Sequence, residues 1–525
     1  MLKSPAGQSA GFTIFTGERM TLCELLKKLP DSEAHGDTAT TIASLTCDSR
    51  DVVPGAFFFA LRGVQADGHR FIEKAVAAGA AAIVLEDAAA APVGVPWVKV
   101  ADGRAAMGRL AALFNGDPTA TRPLIGITGT NGKTTTTYLI EAILAAAGMP
   151  AAVLGTISYR FGATTIQASH TTPESTELQG AFRQLADAGA QTFVMEVSSH
   201  ALEQKRVDGC HFDIGIFSNL TRDHLDYHVT MENYLDAKSR LFSELLRPTP
   251  EKPRRRAVIN MDDPYGRQIA DRSACQVISF GIEGQCDVRP VAVTSSVNGI
   301  SATMVTPAGE FKFTSQLLGR FNLANILAAV AAGVALDLPL AAIKQGIERH
   351  ATVPGRMERV ANSVGVTCLV DYAHTGDALE NVLATLREIA AARIITVFGC
   401  GGDRDNGKRP IMGKIATTMS DLAIVTSDNP RSENPLTILA QIKSGIGEGL
   451  REYRLDELAE GFAEKGFTML ENRHEAIRLA IRLALPGDIV LLAGKGHEDY
   501  QIVGTTRHHF DDREEAAAAF TEKLP

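Results

Sequence analysis

Gly129 to Thr135 reads GTNGKTT, between an apolar run, LIGIT, and an Ala- and Leu-rich segment closed by Gly148. A glycine loop between strand and helix lets backbone N–H groups surround phosphates at a helix N-terminus. Lys133 then reaches the β- and γ-phosphates of a nucleotide, and Thr134 ligates Mg2+. The strict Walker spacing is imperfect, because Ile127 stands where its first glycine would fall. Glu196 ends a second apolar run, TFVME. A carboxylate there is costly to bury without a partner, and a second role as a Mg2+ ligand supplies one. Ser198, His200 and Arg206 follow in a polar loop, where Ser198 suits a helix cap equally well. The stretch NLTRDHLDYH carries His224, Asp226 and His228, residue types that ligate divalent metals, ahead of Lys238. By spacing alone, Lys238 reads as a solvated lysine on an amphipathic helix. The stretch TSDNPRSENP follows the apolar run DLAIV. Its Asn-Pro pair is a turn signal, and a lone Arg431 in such a loop is ordinarily a solvated charge.

These residues need strands and helices to hold them. Up to about residue 118, short apolar runs (GAFFFAL, AAAIVLE, WVKV) alternate with Ala-rich helical segments, an α/β pattern. A turn-rich boundary follows in FNGDPTATRP. A second block opens with the glycine loop and runs to about residue 350. A third block, from 351, repeats strand and helix through VTCLVDYAH, IITVFGCGGD, DLAIVTSDNP and DIVLLAGKGHE. Each apolar run there ends in a polar or glycine-rich loop, and parallel α/β sheets bind ligands at such carboxyl ends. The expected division is 1–19 as an extension, then 20–118, 119–350 and 351–525. The GCGG run lacks the G-x-G-x-x-G spacing, so a dinucleotide fingerprint is rejected.

The chain has 525 residues, 45% apolar and 22% charged, the composition of an ordinary soluble protein. A net charge of −9 argues against a general nucleic-acid or anionic-membrane binder. Seven scattered cysteines with no C-x-x-C pair read as reduced cytoplasmic thiols, neither a disulfide framework nor a zinc site. No signal peptide or membrane-inserted segment is expected.

The motifs GTNGKTT, TTPES, MEVSSHAL, NLTRDHLDYH, YLDAKSRLF, GRFNLANILAA, VPGRME, VDYAHT, DNPR and GKGHEDYQ occur in this order. Together they closely resemble the Mur ligase family, the ATP-dependent amino-acid ligases of peptidoglycan precursor synthesis. The resemblance covers nearly the whole chain. It implies an α/β fold of three domains: a UDP-binding N-terminal domain, a central P-loop ATPase domain with a mostly parallel sheet, and a Rossmann-like C-terminal domain. It also implies the chemistry. ATP phosphorylates a substrate carboxylate to an acyl phosphate, and the amine of an incoming amino acid displaces phosphate.

On that resemblance Gly129, Thr130, Asn131, Gly132, Lys133, Thr134 and Thr135 hold ATP, with Asn322 and Asn325 near its base. Arg356 and Asp371 reach it from the C-terminal domain. Thr134, Glu196 and His224 match Mg2+ ligands. Lys238 matches the lysine carbamylated by CO2 to N6-carboxylysine, which turns a cation into an anion able to hold metal. The UDP-N-acetylmuramoyl-L-alanyl-D-glutamate substrate is assigned to Cys47, Ser49, Val64, Gln65, Ala66, Thr171, Thr172, Ser198, Gln204 and Arg206. His170, Val64, Cys47 and Gly376 depart from the usual family residues.

Family members with DNPR resemble enzymes that add meso-diaminopimelate. Arg431 can pair bidentately with the carboxylate at the far end of that amino acid, which lysine lacks. Asp428, Asn429, Pro430, Arg404, Gly494 and Glu498 complete the expected amino-acid site, with Glu498 facing the distal ammonium. The same ligation with L-lysine or another diamino acid is the near alternative. Folylpolyglutamate synthase and a non-catalytic nucleotide-binding regulator are more distant ones. Small-molecule substrates and a monomer are the family expectation.

Overall fold

The computed structural model describes residues 19–63, 66–349 and 352–523. Most of the expected N-terminal extension, Val64, Gln65 and the boundary at 350/351 fall outside them. The described residues up to Phe280, with Ala331–Leu338, pack as one compact unit; Gly281–Val330 and the residues from Pro339 onward pack as a second.

The first unit contains two sheets. A five-stranded sheet has the order Glu33–His35, Trp97–Lys99, Ala82–Leu85, Ala56–Phe59, Ser44–Thr46. It is parallel apart from its first pair. The second sheet has eight strands, ordered Thr164–Gln167, Ser158–Phe161, Ala151–Leu154, Thr192–Glu196, Leu124–Thr128, Ile214–Phe217, Arg256–Asn260, Gln276–Phe280. From Ala151–Leu154 onward its pairings are parallel. Leu124–Thr128 and Thr192–Glu196 are buried along their whole length, which is why both read as unbroken apolar runs. Their register pairs Glu196 with Ile127, and Phe217 with Thr128. The glycine loop, Glu196 and the residues after Phe217 therefore share one carboxyl edge.

The second unit is built on a seven-stranded sheet, ordered Glu358–Val360, Thr367–Asp371, Ile489–Ala493, Ile394–Phe398, Leu422–Val425, Gly466–Met469, Arg451–Glu452. Only its first pairing is antiparallel. Asp371 and Phe398 both pair with Ala493, and Val425 pairs with Phe398. Four successive loops thus leave the sheet side by side. An antiparallel meander, Arg289–Ser296, Gly299–Thr306 and Gly309–Ser315, belongs to this unit as well. A two-stranded hairpin, Tyr500–Val503 with Thr506–His509, follows the last central strand. No helix of the described residues is long and apolar enough to cross a membrane, and all seven cysteines are free thiols.

Candidate active site

In the first unit the glycine loop joins Leu124–Thr128 to the helix Lys133–Ala146. Gly129 has φ 153°, and a Cβ there would collide with the Ser218 hydroxyl, so the loop needs glycine to pass the neighbouring strand end. Asn219 anchors the loop: its carbonyl accepts from Thr130 N–H (2.9 Å) and its Oδ1 from Asn131 N–H (2.8 Å). Lys133 Nζ lies against the loop, donating to the carbonyls of Gly129 and Thr130, each at 2.9 Å. The Thr134 hydroxyl donates to Glu196 Oε1 at 2.9 Å. Glu196 is buried, yet both carboxylate oxygens are engaged. Thr156 supplies its backbone N–H to Oε1 (3.1 Å) and its hydroxyl to Oε2 (3.0 Å). The expected threonine–carboxylate pair is therefore in place.

Lys238 overturns its reading by spacing. It sits on the helix Met231–Arg240 with 1% of its surface exposed. Its ammonium lies 4.5 Å from the centre of the Tyr234 ring and, among the described residues, has no hydrogen bond or ion pair. Burial, and after it the positive charge of Lys133, pull its pKa well below that of an ordinary lysine. His224 occupies left-handed backbone, φ 53°, a conformation that β-carbon residues adopt at a cost. Desolvation lowers its pKa despite Asp223 beside it. His228 is used differently. Its ring meets the Ser199 hydroxyl (2.9 Å) and Glu203 (3.4 Å), and burial drops its pKa to about 4.

Ser198 caps the helix Ser199–Glu203, accepting from Ala201 N–H, so the capping reading is realised. Its backbone N–H donates to the Thr172 hydroxyl (3.0 Å), which in turn donates to the Glu196 carbonyl (2.8 Å). Thr171 and Thr156 share a hydroxyl contact of 3.0 Å. Arg206 donates to Gln204 Oε1 and to the Thr172 carbonyl, and pairs with Glu174 at 3.1 Å. Five residues expected at the dipeptide thus form one network. Cys47 lies near it: burial, then the Glu174 charge, push its thiol up to about 12. Ser49 is half-buried two residues further on, and the Ala66 carbonyl accepts from Gly63 N–H (2.9 Å).

In the second unit the DNPR loop sits at the carboxyl edge. Asn429 reaches two elements at once. Its Nδ2 donates to Glu498 Oε2 (2.9 Å), and its Oδ1 accepts from Ile502 N–H (2.9 Å). Lys495 is wholly buried, 3.3 Å from Asp428 Oδ1 and 3.6 Å from Glu498 Oε2. Burial pushes Asp428 up, but Lys495 and Arg473 pull harder and hold it below the usual carboxylate range. Burial and the Asp428 charge raise Glu498. Arg431 is half-buried, with left-handed backbone at φ 52°. Its guanidinium donates to the Gly402 carbonyl at 2.8 Å, and its charge acts on Glu498. Arg404 is exposed, donating to the Asp403 carbonyl. Pro430, within the loop, is buried, and Gly494 adopts φ 116° beside Asp428.

Asp371 ends the strand Thr367–Asp371 and accepts from Met357 N–H at 2.7 Å. Burial raises its pKa against the pull of Arg356, whose guanidinium lies 4.8 Å from the centre of the Tyr372 ring. Asn322 donates to the Leu318 carbonyl, and Asn325 to Asn322 Oδ1, both buried on the helix Arg320–Ala335.

Three family models match in order: Mur ligase family, catalytic domain (residues 41–115), Mur ligase middle domain (127–333) and Mur ligase, glutamate ligase domain (355–496). A Geobacter metallireducens protein named UDP-N-acetylmuramoyl-L-alanyl-D-glutamate–2,6-diaminopimelate ligase is 62% identical over 96% of this chain and 99% of its own length. The chain belongs to the Mur ligase family. A relative of the same name from Geobacillus thermodenitrificans is 44% identical, covering 96% of this chain and all of its own. A solved structure under that name superposes with a TM-score of 0.69 at 34% identity, covering 96% of this chain and 99% of the other. A Mur ligase of Thermotoga maritima, MurF in complex with ADP, shares the fold at 18% identity with a TM-score of 0.59, covering 91% and 97% of the two chains. The fold is thus the mixed α/β, three-domain architecture of Mur ligases.

Two residues that contact the expected site residues were not themselves expected there, Thr156 and Lys495. Thr156 follows a glycine in an unremarkable LGTIS stretch, and only the fold sets it on Glu196. Lys495 sits inside GKGHE, between two glycines, and is wholly buried. The GCGG run also has its reason here. A Cβ on Gly402 would collide with the Pro430 carbonyl, so the glycine lets the DNPR loop pass.

Proposed function

We propose that this Mur ligase joins meso-2,6-diaminopimelate to UDP-N-acetylmuramoyl-L-alanyl-D-glutamate, forming ADP and phosphate. The observation that carries the choice of amino acid is the DNPR site. Arg431 presents a cation, and Asn429 and Lys495 hold the carboxylates Glu498 and Asp428 beside it. A ligand end bearing both a carboxylate and an ammonium matches that pair of charges. Lysine would leave Arg431 without its partner, at a cost worth about 10³-fold in selectivity. The relatives' printed names agree with this reading.

The reaction proceeds in two displacements. A carboxylate oxygen of the dipeptide attacks the γ-phosphorus of ATP, and the bond to the β-phosphate oxygen breaks to release ADP. The free amine nitrogen then attacks the acyl carbon, a C–N bond forms, the C–O bond to phosphate breaks, and the nitrogen gives up one proton to solvent. The glycine loop and Lys133 bind the phosphates. The network of Thr171, Thr172, Ser198, Gln204 and Arg206 holds the dipeptide. In-line positioning and charge neutralisation supply most of the rate.

The residues present fit a Mg2+ requirement. Among the described residues no three His, Cys, Asp or Glu side chains form a ready cage, but Mg2+ is ordinarily held by one or two carboxylates together with substrate phosphates. Thr134 and Glu196 sit together, and desolvation lowers the pKa of His224, the direction that favours an imidazole free to ligate. The Lys238 amine, buried and without a hydrogen bond or ion pair among the described residues, suits carbamylation by CO2, after which it would serve as a further ligand. When bound, the metal neutralises phosphate charge. The division into 20–118, 119–350 and 351–525, the remaining ATP contacts at Asn322, Asn325, Arg356 and Asp371, the cytoplasmic location and a monomeric state form part of the same reading. Amide formation with meso-diaminopimelate, compared with L-lysine, tests it; equal efficiency with both would reject the assignment.

A further inference from the structure

The DNPR loop does not hold itself. Arg431 occupies left-handed backbone, which a residue with a β-carbon adopts only when its surroundings impose it. The hairpin strand Tyr500–Val503 supplies those surroundings. Arg431 N–H donates to the Ile502 carbonyl (3.1 Å), and the Arg431 carbonyl accepts from Gly504 N–H (2.8 Å). The two bonds make a parallel bridge between Arg431 and Val503. Ile502 N–H donates to Asn429 Oδ1 at 2.9 Å. All three use hairpin backbone, so the identity of the hairpin residues hardly affects them. The fourth does depend on identity: Gln501 Nε2 donates to the Asp428 carbonyl at 2.6 Å.

We propose that Gln501 is a positioning residue for diamino-acid selectivity. Among the described residues its side-chain amide is the one sequence-specific tie from the hairpin to the backbone at the start of the DNPR loop, and it sets where the Arg431 guanidinium and the Asp428 carboxylate stand. The proposal rests on the reading that Arg431 faces the distal carboxylate. Without the tie the loop keeps its backbone ladder but gains freedom at Asp428, three residues before the arginine. A bidentate pair is sensitive to such displacement. A ligand that lacks the distal carboxylate does not depend on the arginine and so loses little.

The test uses the full-length enzyme with Gln501→Leu and Gln501→Glu. Steady-state kinetics are measured with meso-diaminopimelate, L-lysine and ATP, and the thermal midpoint is recorded beside them. With Gln501→Leu, kcat/KM for diaminopimelate falls about tenfold, chiefly through KM, as for loss of one buried hydrogen bond. KM for ATP and kcat/KM for lysine stay within twofold. Gln501→Glu preserves shape but turns an acceptor toward the Asp428 carbonyl, and it falls further than Leu. A residue that only filled space would give the opposite order. Full retention of the diaminopimelate-to-lysine ratio in both variants overturns the proposal while leaving the reading of Arg431 intact. A wild type that does not discriminate between the two amino acids overturns both. A rise in KM for ATP equal to that for diaminopimelate also overturns it.

Discussion

Replacing Lys495 with methionine keeps the aliphatic stem and removes one buried positive charge. In the folded protein that charge is 3.3 Å from Asp428 and 3.6 Å from Glu498. At an effective dielectric of about 20, each contact at this range is an attraction of about 4–5 kcal/mol. Part of it is already offset by desolvation, and breaking a buried pair by removing one partner costs about 3–5 kcal/mol net. Two carboxylates would then face each other, answered by the amide of Asn429 and the more distant charges of Arg473 and Arg431. Glu498, already raised by burial and by Asp428, would rise further, and Asp428 would lose much of what holds it low. The sign with pH follows. A carboxyl raised in the folded state contributes stability below its unfolded pKa and loses it as pH rises through the folded value. The depressed Asp428 contributes in the wild type above its unfolded pKa, and that contribution is what the variant forfeits. The Asp428 part of the deficit persists until the pH falls below the unfolded carboxylate value of about 4, while the Glu498 part shrinks as acid protonates that raised carboxyl, so the deficit of Lys495→Met is larger at pH 8 than at pH 4. Urea unfolding at the two pH values measures it. A deficit under about 1 kcal/mol, within the range of an exposed pair, or one equal at both pH values, would refute the buried-counter-ion argument.

Gly402→Ala drives a methyl group into the Pro430 carbonyl, so the DNPR loop must move. KM for diaminopimelate is expected to rise at least about tenfold, since displacements of this kind cost up to about 100-fold, with KM for ATP nearly unchanged; an unaltered diaminopimelate KM would count against the loop geometry. Lys238→Ala is expected to lose at least about 100-fold in activity, the scale of a lost ligand or ligand support. A short added carboxylic acid should restore part of it, and depleting CO2 should slow the wild type. Activity unchanged in the variant without any carboxylate would remove the carbamate role.

The fold was legible where the chain repeats apolar runs ending in glycine or polar loops, because parallel strands buried on both faces leave that trace. The P-loop, Glu196 and the DNPR turn were legible for the same reason: each follows such a run directly. Lys238 was legible only through the ordered motifs. Helical spacing put it on a polar helix, but that helix packs against the helix Ser199–Glu203, a contact its local spacing does not report. Gln501 and Lys495 fall within the GKGHEDYQ motif, but nothing in it gave their roles. Apart from Glu498, three residues after Lys495, their partners lie 66 to 73 residues away in the chain, a distance no periodicity reports. The GCGG run was legible as an unusual feature but not for its cause, since the atom that demands glycine belongs to Pro430, on the next loop of the sheet.

The central claim is that Arg431 selects the amino acid through its distal carboxylate, and the direct measurement is kcat/KM for meso-diaminopimelate and for L-lysine in the wild type and in Arg431→Ala. The wild type should favour diaminopimelate by about 10³-fold or more, and the variant should lose most of that ratio through the diaminopimelate value alone. A wild type equally efficient with both, or a variant that keeps the full ratio, would contradict it.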